Sequence, residues 1–192
     1  MMAVMLTFWK KKRRLIRTIG AAILATGAVL HNCATAEEMQ KLQELTVQAP
    51  LSAPFTLQLQ GPDHTQRLTP SGKPYILHLW ATWCGPCRLE LPKLSHFIQA
   101  HPDLPIVPVA VESGAPERVS AFTQRLSLQG LPIWVGEQSA IQSALSHLKD
   151  TGLPMTVLVD SQGRIRAVSD GGIAWDSPDS QQSLQQLLRE AK

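Results

Sequence analysis

Pro74-Tyr-Ile-Leu-His-Leu-Trp80 is a nearly unbroken apolar run, and three residues beyond it stands Cys84-Gly-Pro-Cys87. A run of this kind marks a strand buried on both faces, and such a strand must be covered by other elements on either side. The cysteine pair then opens a helix predicted from about Cys84 to Ala100. Gly85 keeps the turn uncrowded, and Pro86 fits the first helical turn, where its missing N–H costs nothing.

The rest of the chain fits the same frame. Phe55 to Gln60 alternates as a half-buried strand, and Gly61-Pro62-Asp63 turns the chain. Ile106 to Val111 reads as a second buried strand, Pro116 to Leu128 as a helix, Leu131 to Val135 as a short strand and Glu137 to Leu148 as a helix. Met155 to Asp160 and Ile165 to Val168 pair through the hairpin signal Ser161-Gln-Gly-Arg164. A last helix is predicted from Ser177 to about Ala191, with Pro178 at its first position and Asp179 at its positive end. Strands alternating with helices and closing on a hairpin predict an α/β fold whose central sheet is mixed, with helices on both faces.

The 192 residues carry 18 Lys+Arg against 15 Asp+Glu. Residues 1–36 hold six of those cations and no acid, so the remainder has 12 positive against 15 negative charges, about −3 by counting. The basic balance therefore belongs to the leader and does not indicate a nucleic-acid binder. Lys10 to Arg14, the apolar stretch Ile19 to Leu30 and Ala34-Thr35-Ala36 follow the order of a secretory signal peptide, with cleavage expected after Ala36. An uncleaved membrane anchor over residues 15–36 is the alternative, because the uncharged run from Thr18 approaches the roughly 20 residues that span a bilayer. Cys33 makes a poor lipoprotein site, and Arg13-Arg14 only loosely suggests twin-arginine export. Either way the domain is expected in a periplasmic or other extracytoplasmic compartment, where disulfide chemistry is available. The expected organisation is a leader over 1–36, a polar lead-in over 37–54 and one domain over 55–192.

With Cys33 in the leader, Cys84 and Cys87 are the cysteines of the mature chain. Two cysteines at this spacing, between a buried strand and a helix, form a redox motif. The unpaired N–H groups of a helix N-terminus favour a thiolate, so Cys84 is expected to be the exposed attacker with a lowered pKa. Cys87, one turn later on the same face, would resolve the mixed disulfide. A structural staple is a weak alternative, since a four-residue loop gives only ~2 kcal/mol of chain-entropy stabilisation. A zinc site lacks a second ligand pair, and no metal is expected.

Trp80-Ala-Thr-Trp83-Cys-Gly-Pro-Cys87 resembles the active site of thioredoxin-fold proteins, and Arg88-Leu-Glu90-Leu-Pro92 resembles the TlpA/ResA branch of membrane-facing thiol–disulfide oxidoreductases. The likeness continues through Gly152-Leu-Pro154 to Asp160, Gly163-Arg164 and Gly172-Ile-Ala-Trp175, covering most of residues 50–192. It implies a thioredoxin-like fold in which the stretch from Leu131 to Leu148 is an extra strand and helix. It makes Glu90 the family acid, Pro92 a kink in the helix, Pro154 a cis-proline beside the cysteines, and Trp83 and Leu153 parts of the substrate surface. Spacing alone puts Glu90 on the helix face of Cys87, although an ordinary solvated glutamate fits as well. Where thioredoxins carry a buried Asp, this chain has His78. A proton relay to Cys87 and a neutral, hydrogen-bonded core histidine are the two readings, and the second is preferred. Trp175 is read as packing the last helix, and His64, His96, His101 and His147 as surface residues.

The expected activity is disulfide reduction in partner proteins, of the cytochrome c or copper-centre assembly type. Electrons would come from a membrane thiol donor, and no cofactor beyond the redox disulfide is expected. A disulfide oxidase and a Cu(I)-binding chaperone without exchange activity remain as alternatives.

Overall fold

The computed structural model describes residues 41–148 and 152–192. The leader, Cys33 and the cleavage site lie outside them. Among the described residues the strands are β1 (Leu57–Gln60), β2 (Thr65–Leu68), β3 (Tyr75–Trp80), β4 (Ile106–Ala110), β5 (Val135–Gly136), β6 (Met155–Val159) and β7 (Ile165–Asp170). The helices are α1 (Gly85–Ala100), α2 (Pro116–Arg125), α3 (Gln138–Leu145) and α4 (Ser180–Glu190). The strands form one sheet in the order β2-β1-β5-β4-β3-β6-β7. The sheet is mixed as expected, with β3 parallel to β4 and antiparallel to β6.

All six residues of β3 are buried, which confirms the strand inferred from the apolar run. Side-chain alternation divides them between two cores. Ile76 and Trp80 join Leu91, Leu94 and Phe97 of α1, Val119 and Phe122 of α2, and Leu184 and Leu187 of α4. Tyr75, Leu77 and Leu79 join Leu57 and Leu59 of β1, Val157 and Val159 of β6, and Ile141 of α3. His78 has the parity of Ile76 and Trp80, so it points into the α1 side. Its register partner on β6 is Thr156.

Several boundaries differ from the sequence expectation. The expected strand at Leu131 to Val135 shrinks to Val135–Gly136, because only these two residues find partners, Ala110 on β4 and Leu59 and Gln60 on β1. The second helix stops at Arg125, three residues early, where Leu126 caps it and Ser127 takes a positive φ of 55°. The last helix begins at Ser180 instead of Ser177. The amide of Ser177 bonds to Ala174 and that of Ser180 to Ser177, so these residues form turns, with Pro178 ahead of the helix and Asp179 as its N-cap. β2 was not anticipated; its residues are mostly exposed and polar, so it shows no burial alternation. The polar lead-in is docked: Leu42 and Leu45 enter the α1-side core, and the amides of Gln48 and Leu51 bond to the carbonyls of Arg166 and Ile165. α1 continues through Pro92 to Ala100.

The extra strand and helix pack tightly on the β1 side. A Cβ on Gly136 would stand 2.4 Å from Ile141 Cδ1 and 2.8 Å from Val109 Cγ1. The isoleucine tip can move, but Val109 is wholly buried and branched at Cβ. Gly136→Ala is expected to destabilise the oxidised protein by about 1–3 kcal/mol through overpacking, measured by denaturant unfolding; an unchanged midpoint would show that the insertion yields freely.

Candidate active site

β3 delivers the chain to a turn closed by the Cys84 amide on the Ala81 carbonyl at 3.2 Å. Cys84 is the N-cap of α1, and its Sγ accepts the Cys87 amide at 3.2 Å. The two cysteines are joined as a disulfide with their Cα atoms 5.3 Å apart. The expectation of an exposed Cys84 is corrected: it is 4% exposed, against 0% for Cys87. The Leu153–Pro154 peptide, which is cis, sits beside the pair, and the Leu153 carbonyl oxygen lies 3.5 Å from Cys84 Sγ. A disulfide sulfur has no proton to donate, so in this state the approach is a contact; reduction would supply a thiol able to donate along it.

Glu90 follows Cys87 by three residues on the same face of α1 and is 1% exposed, so the solvated-glutamate reading is excluded. Its Oε1 accepts the backbone N–H of Ile173 at 2.9 Å and the indole N–H of Trp175. Its Oε2 faces His78 Nε2 at 3.7 Å, and neither atom has a hydrogen-bond partner among the described residues. His78 Nδ1 lies 3.0 Å from Thr156 Oγ1. Burial pushes the Glu90 carboxyl up to about 7, against the opposing pull of the Ile173 and Trp175 hydrogen bonds and of Lys93. Burial also pushes His78 down to about 3. The separation is within ion-pair range, but both shifts run toward the uncharged forms, so between about pH 3 and 7 the contact is between a carboxylic acid and a neutral imidazole. One consistent assignment has Nδ1–H donating to Thr156, leaving the Nε2 lone pair toward a proton on Oε2.

Trp175 was missed as a site residue. Its ring meets His78 edge-on at 5.8 Å and Phe97 of α1 at 5.5 Å, while its N–H holds Glu90. Thr156 was missed as well. The sequence signals existing for them were the Gly172 to Trp175 likeness and the even spacing along Met155 to Val159, but neither discloses a hydrogen-bond partner.

The opposite lip of the disulfide is built differently. Trp83 is 59% exposed and donates its indole N–H to the Glu112 carbonyl at 3.0 Å. The loop beneath is fixed by Thr82 N–H donating to Ser113 Oγ, which in turn donates to the Val111 carbonyl, both at 2.9 Å. His64, His96 and His147 are exposed and His101 is partly so; His101 packs on Phe97 at 4.6 Å, and Phe97 in turn meets Trp175. Among the described residues no three His, Cys, Asp or Glu gather as metal ligands.

A disulfide at the N-terminus of a helix, beside a cis-proline and on a mixed sheet of this order, defines a thioredoxin-fold thiol–disulfide oxidoreductase. The chain belongs to the AhpC/TSA family, whose model matches residues 37–168. It is 27% identical over 164 residues to the thiol-disulfide oxidoreductase ResA of Geobacillus kaustophilus, covering 84% of this chain and 90% of that one. To ResA of Geobacillus thermodenitrificans it is 31% identical over 115 residues, 59% of this chain and 63% of the relative. A thioredoxin-family thiol:disulfide interchange protein from Chlorobium tepidum superposes with a TM-score of 0.52 at 20% identity, covering 73% of this chain and 96% of the other, which supports the fold.

The two buried groups make opposite contributions to pH-dependent stability. Glu90 stands above its ordinary 4.5, so the folded protein holds an extra proton between about 4.5 and 7 and loses stability as pH rises through that window. His78 stands below its ordinary 6.5, so the folded protein resists a proton between about 6.5 and 3 and loses stability as pH falls through that window. Over their overlap the slopes oppose one another. Relative to the parent, Glu90→Gln is expected to steepen the rise of stability with pH up to about 6.5, and His78→Asn to steepen its fall toward about pH 7. Urea unfolding of the oxidised proteins across this range checks both; identical pH profiles for the two variants would contradict the assignment.

Proposed function

We propose that the protein reduces disulfides of other proteins by dithiol exchange, and that it does so on the extracytoplasmic side of a membrane. The observation that carries this reading is the Cys84–Cys87 disulfide at the mouth of α1, with the Leu153 carbonyl of a cis-proline peptide 3.5 Å from Cys84 Sγ. In the reduced protein the Cys84 thiolate attacks one sulfur of a substrate disulfide, and the other leaves as a thiolate. Cys87 then loses its proton and attacks Cys84 Sγ, releasing the second substrate thiolate and restoring the internal disulfide. Two electrons pass from the protein dithiol to the substrate.

Glu90 is the group proposed to receive the Cys87 proton. It lies one helical turn away, and its pKa near 7 lets it alternate between acid and base at neutral pH. A charged Glu90 would also discourage a second buried anion at Cys87, so proton transfer and exchange are expected to be coupled. His78 and Trp175 act through Glu90, and Trp83, Leu153 and Pro154 form the surface on which substrate backbone rests.

The reductase direction is supported by the Gly85-Pro86 dipeptide, which resembles that of thioredoxin. The dithiol is regenerated by a second dithiol, proposed to be a membrane-bound thiol donor, with no cofactor beyond the protein's own disulfide. The leader pattern over residues 1–36 supports export or tethering; among the described residues no helix is long and apolar enough to cross a membrane. Substrates of the cytochrome c or copper-centre assembly type are proposed from the resemblance to the TlpA/ResA branch.

Cys87→Ser is expected to trap partner proteins as mixed disulfides on Cys84, released by dithiothreitol and absent from Cys84→Ser. Failure of the intact pair to cycle with a dithiol would end the reading, and stoichiometric Cu(I) binding in place of exchange would replace it with the carrier alternative.

A further inference from the structure

The domain after the leader has fewer cations than anions, yet three arginines gather at one lip of the disulfide. Arg88, Arg118 and Arg125 line a cleft of about 290 Å³ together with Trp83, Glu112 and the ring of Phe122. Arg88 is anchored: its Nε donates to the Thr82 carbonyl at 3.0 Å, and its guanidinium lies 5.4 Å from the Phe122 ring centre. All three arginines are exposed, and none pairs with a carboxylate among the described residues. The one acid in the lining, Glu112, receives the Gln138 side-chain amide on its Oε1. The cleft therefore carries an excess of two positive charges by counting its lining residues. Arg164 and Arg166, by contrast, are both spent on the buried Asp160, and Lys93 on Asp176.

The floor of the cleft accommodates Arg118 closely. Gly114 has a φ of +83°, and a Cβ there would come within 3.1 Å of Arg118 Cδ, so the arginine stem lies across the glycine. Exposed Trp83, adjacent in sequence to Cys84, lines the cleft and ties it to the cysteine motif. A polypeptide with its sulfur at Cys84 and its backbone along Leu153 would reach this cleft with side chains a few residues from its own cysteine.

We propose that this cleft is a specificity site for protein substrates carrying acidic residues beside the reactive cysteine, their carboxylates engaging Arg118 and Arg125. The proposal rests on the exchange reaction above and names its substrate class. Guanidinium groups suit carboxylates because they offer paired N–H donors in the geometry of the two oxygens. Their exposure means that attraction acts mainly on encounter and is screened by salt.

The test uses the 192-residue chain and three synthetic disulfide peptides alike except for the residues flanking cysteine, which are Glu, Gln or Lys. The Glu peptide is expected to be reduced faster than the Gln peptide by on the order of tenfold at low ionic strength, with the gap closing near 0.5 M salt. In the Arg118→Glu/Arg125→Glu double variant the order is expected to invert, the Lys peptide becoming the fastest. A misfolded variant would lose rate on all three peptides and would not gain on one. Equal rates for the three peptides, or an unchanged preference for Glu in the double variant, would overturn the specificity site while leaving the exchange reaction standing. No exchange with any peptide, together with no cycling with dithiothreitol, would overturn both.

Discussion

A strand whose six side chains are all buried has no solvated face, and the site depends on this constraint at β3. The strand has to lie inside the sheet, between β4 and β6, and must be covered on both sides. It therefore ends inside the protein, and the chain leaving it must turn at once into an element that caps its own backbone. Cys84 does so, as both the end of that turn and the N-cap of α1. The free N–H groups of the first helical turn are thus aimed at the sulfur by the burial of a strand that precedes it. Alternation along the same strand decides what lies beneath the disulfide. With Ile76 and Trp80 facing α1, His78 has to face it too, and its register partner on β6, Thr156, lies on the same side.

Placing a histidine and a glutamate in that core is costly, and the fold limits the cost by keeping both uncharged. The Glu90 carboxyl is held on one oxygen by two N–H donors from the Ile173 to Trp175 segment, while its other oxygen faces the imidazole. Two donors to a carboxyl favour its charged form, so without them burial would raise Glu90 further. Burial therefore raises the proton affinity of a group on α1, and the segment before α4 holds that rise in check. This explains why Trp175, although it packs as a core aromatic, belongs functionally with the disulfide.

The parts of this organisation legible in the sequence were those set by local pattern. The unbroken run Pro74 to Trp80, the cysteine spacing and the hairpin at Ser161 to Arg164 each specify their geometry within a few residues. What was illegible depends on register and on distant partners. β2 is an edge strand of exposed polar residues, so nothing in Thr65 to Leu68 alternates; its pairing comes from β1 alone. The burial of Glu90 cannot be inferred from a helix position that suits a solvated glutamate equally well, because it is decided by residues 83 and 85 positions later in the chain. The exposure of Cys84 was misjudged for a related reason: the turn that presents it is local, but the Leu153–Pro154 peptide that covers it is not.

The near-complete burial of both sulfurs has a consequence for recognition. A disulfide 4% and 0% exposed at its two cysteines is reached only along a narrow approach, so a substrate must present its sulfur on an extended, accessible segment. In the proposed exchange that segment meets the main chain at Leu153 on one side, and a main-chain contact is indifferent to the side chains of the partner. On the other it meets Trp83 and the guanidinium groups beyond it, where side-chain identity matters. On the proposed reading, backbone contact at one lip holds the sulfur in line for exchange, and charge at the other selects among the chains that can be so held. So divided, selectivity can change through Arg118 and Arg125 of α2 and the loop before it without disturbing β3 or the buried Glu90 proposed to serve the exchange.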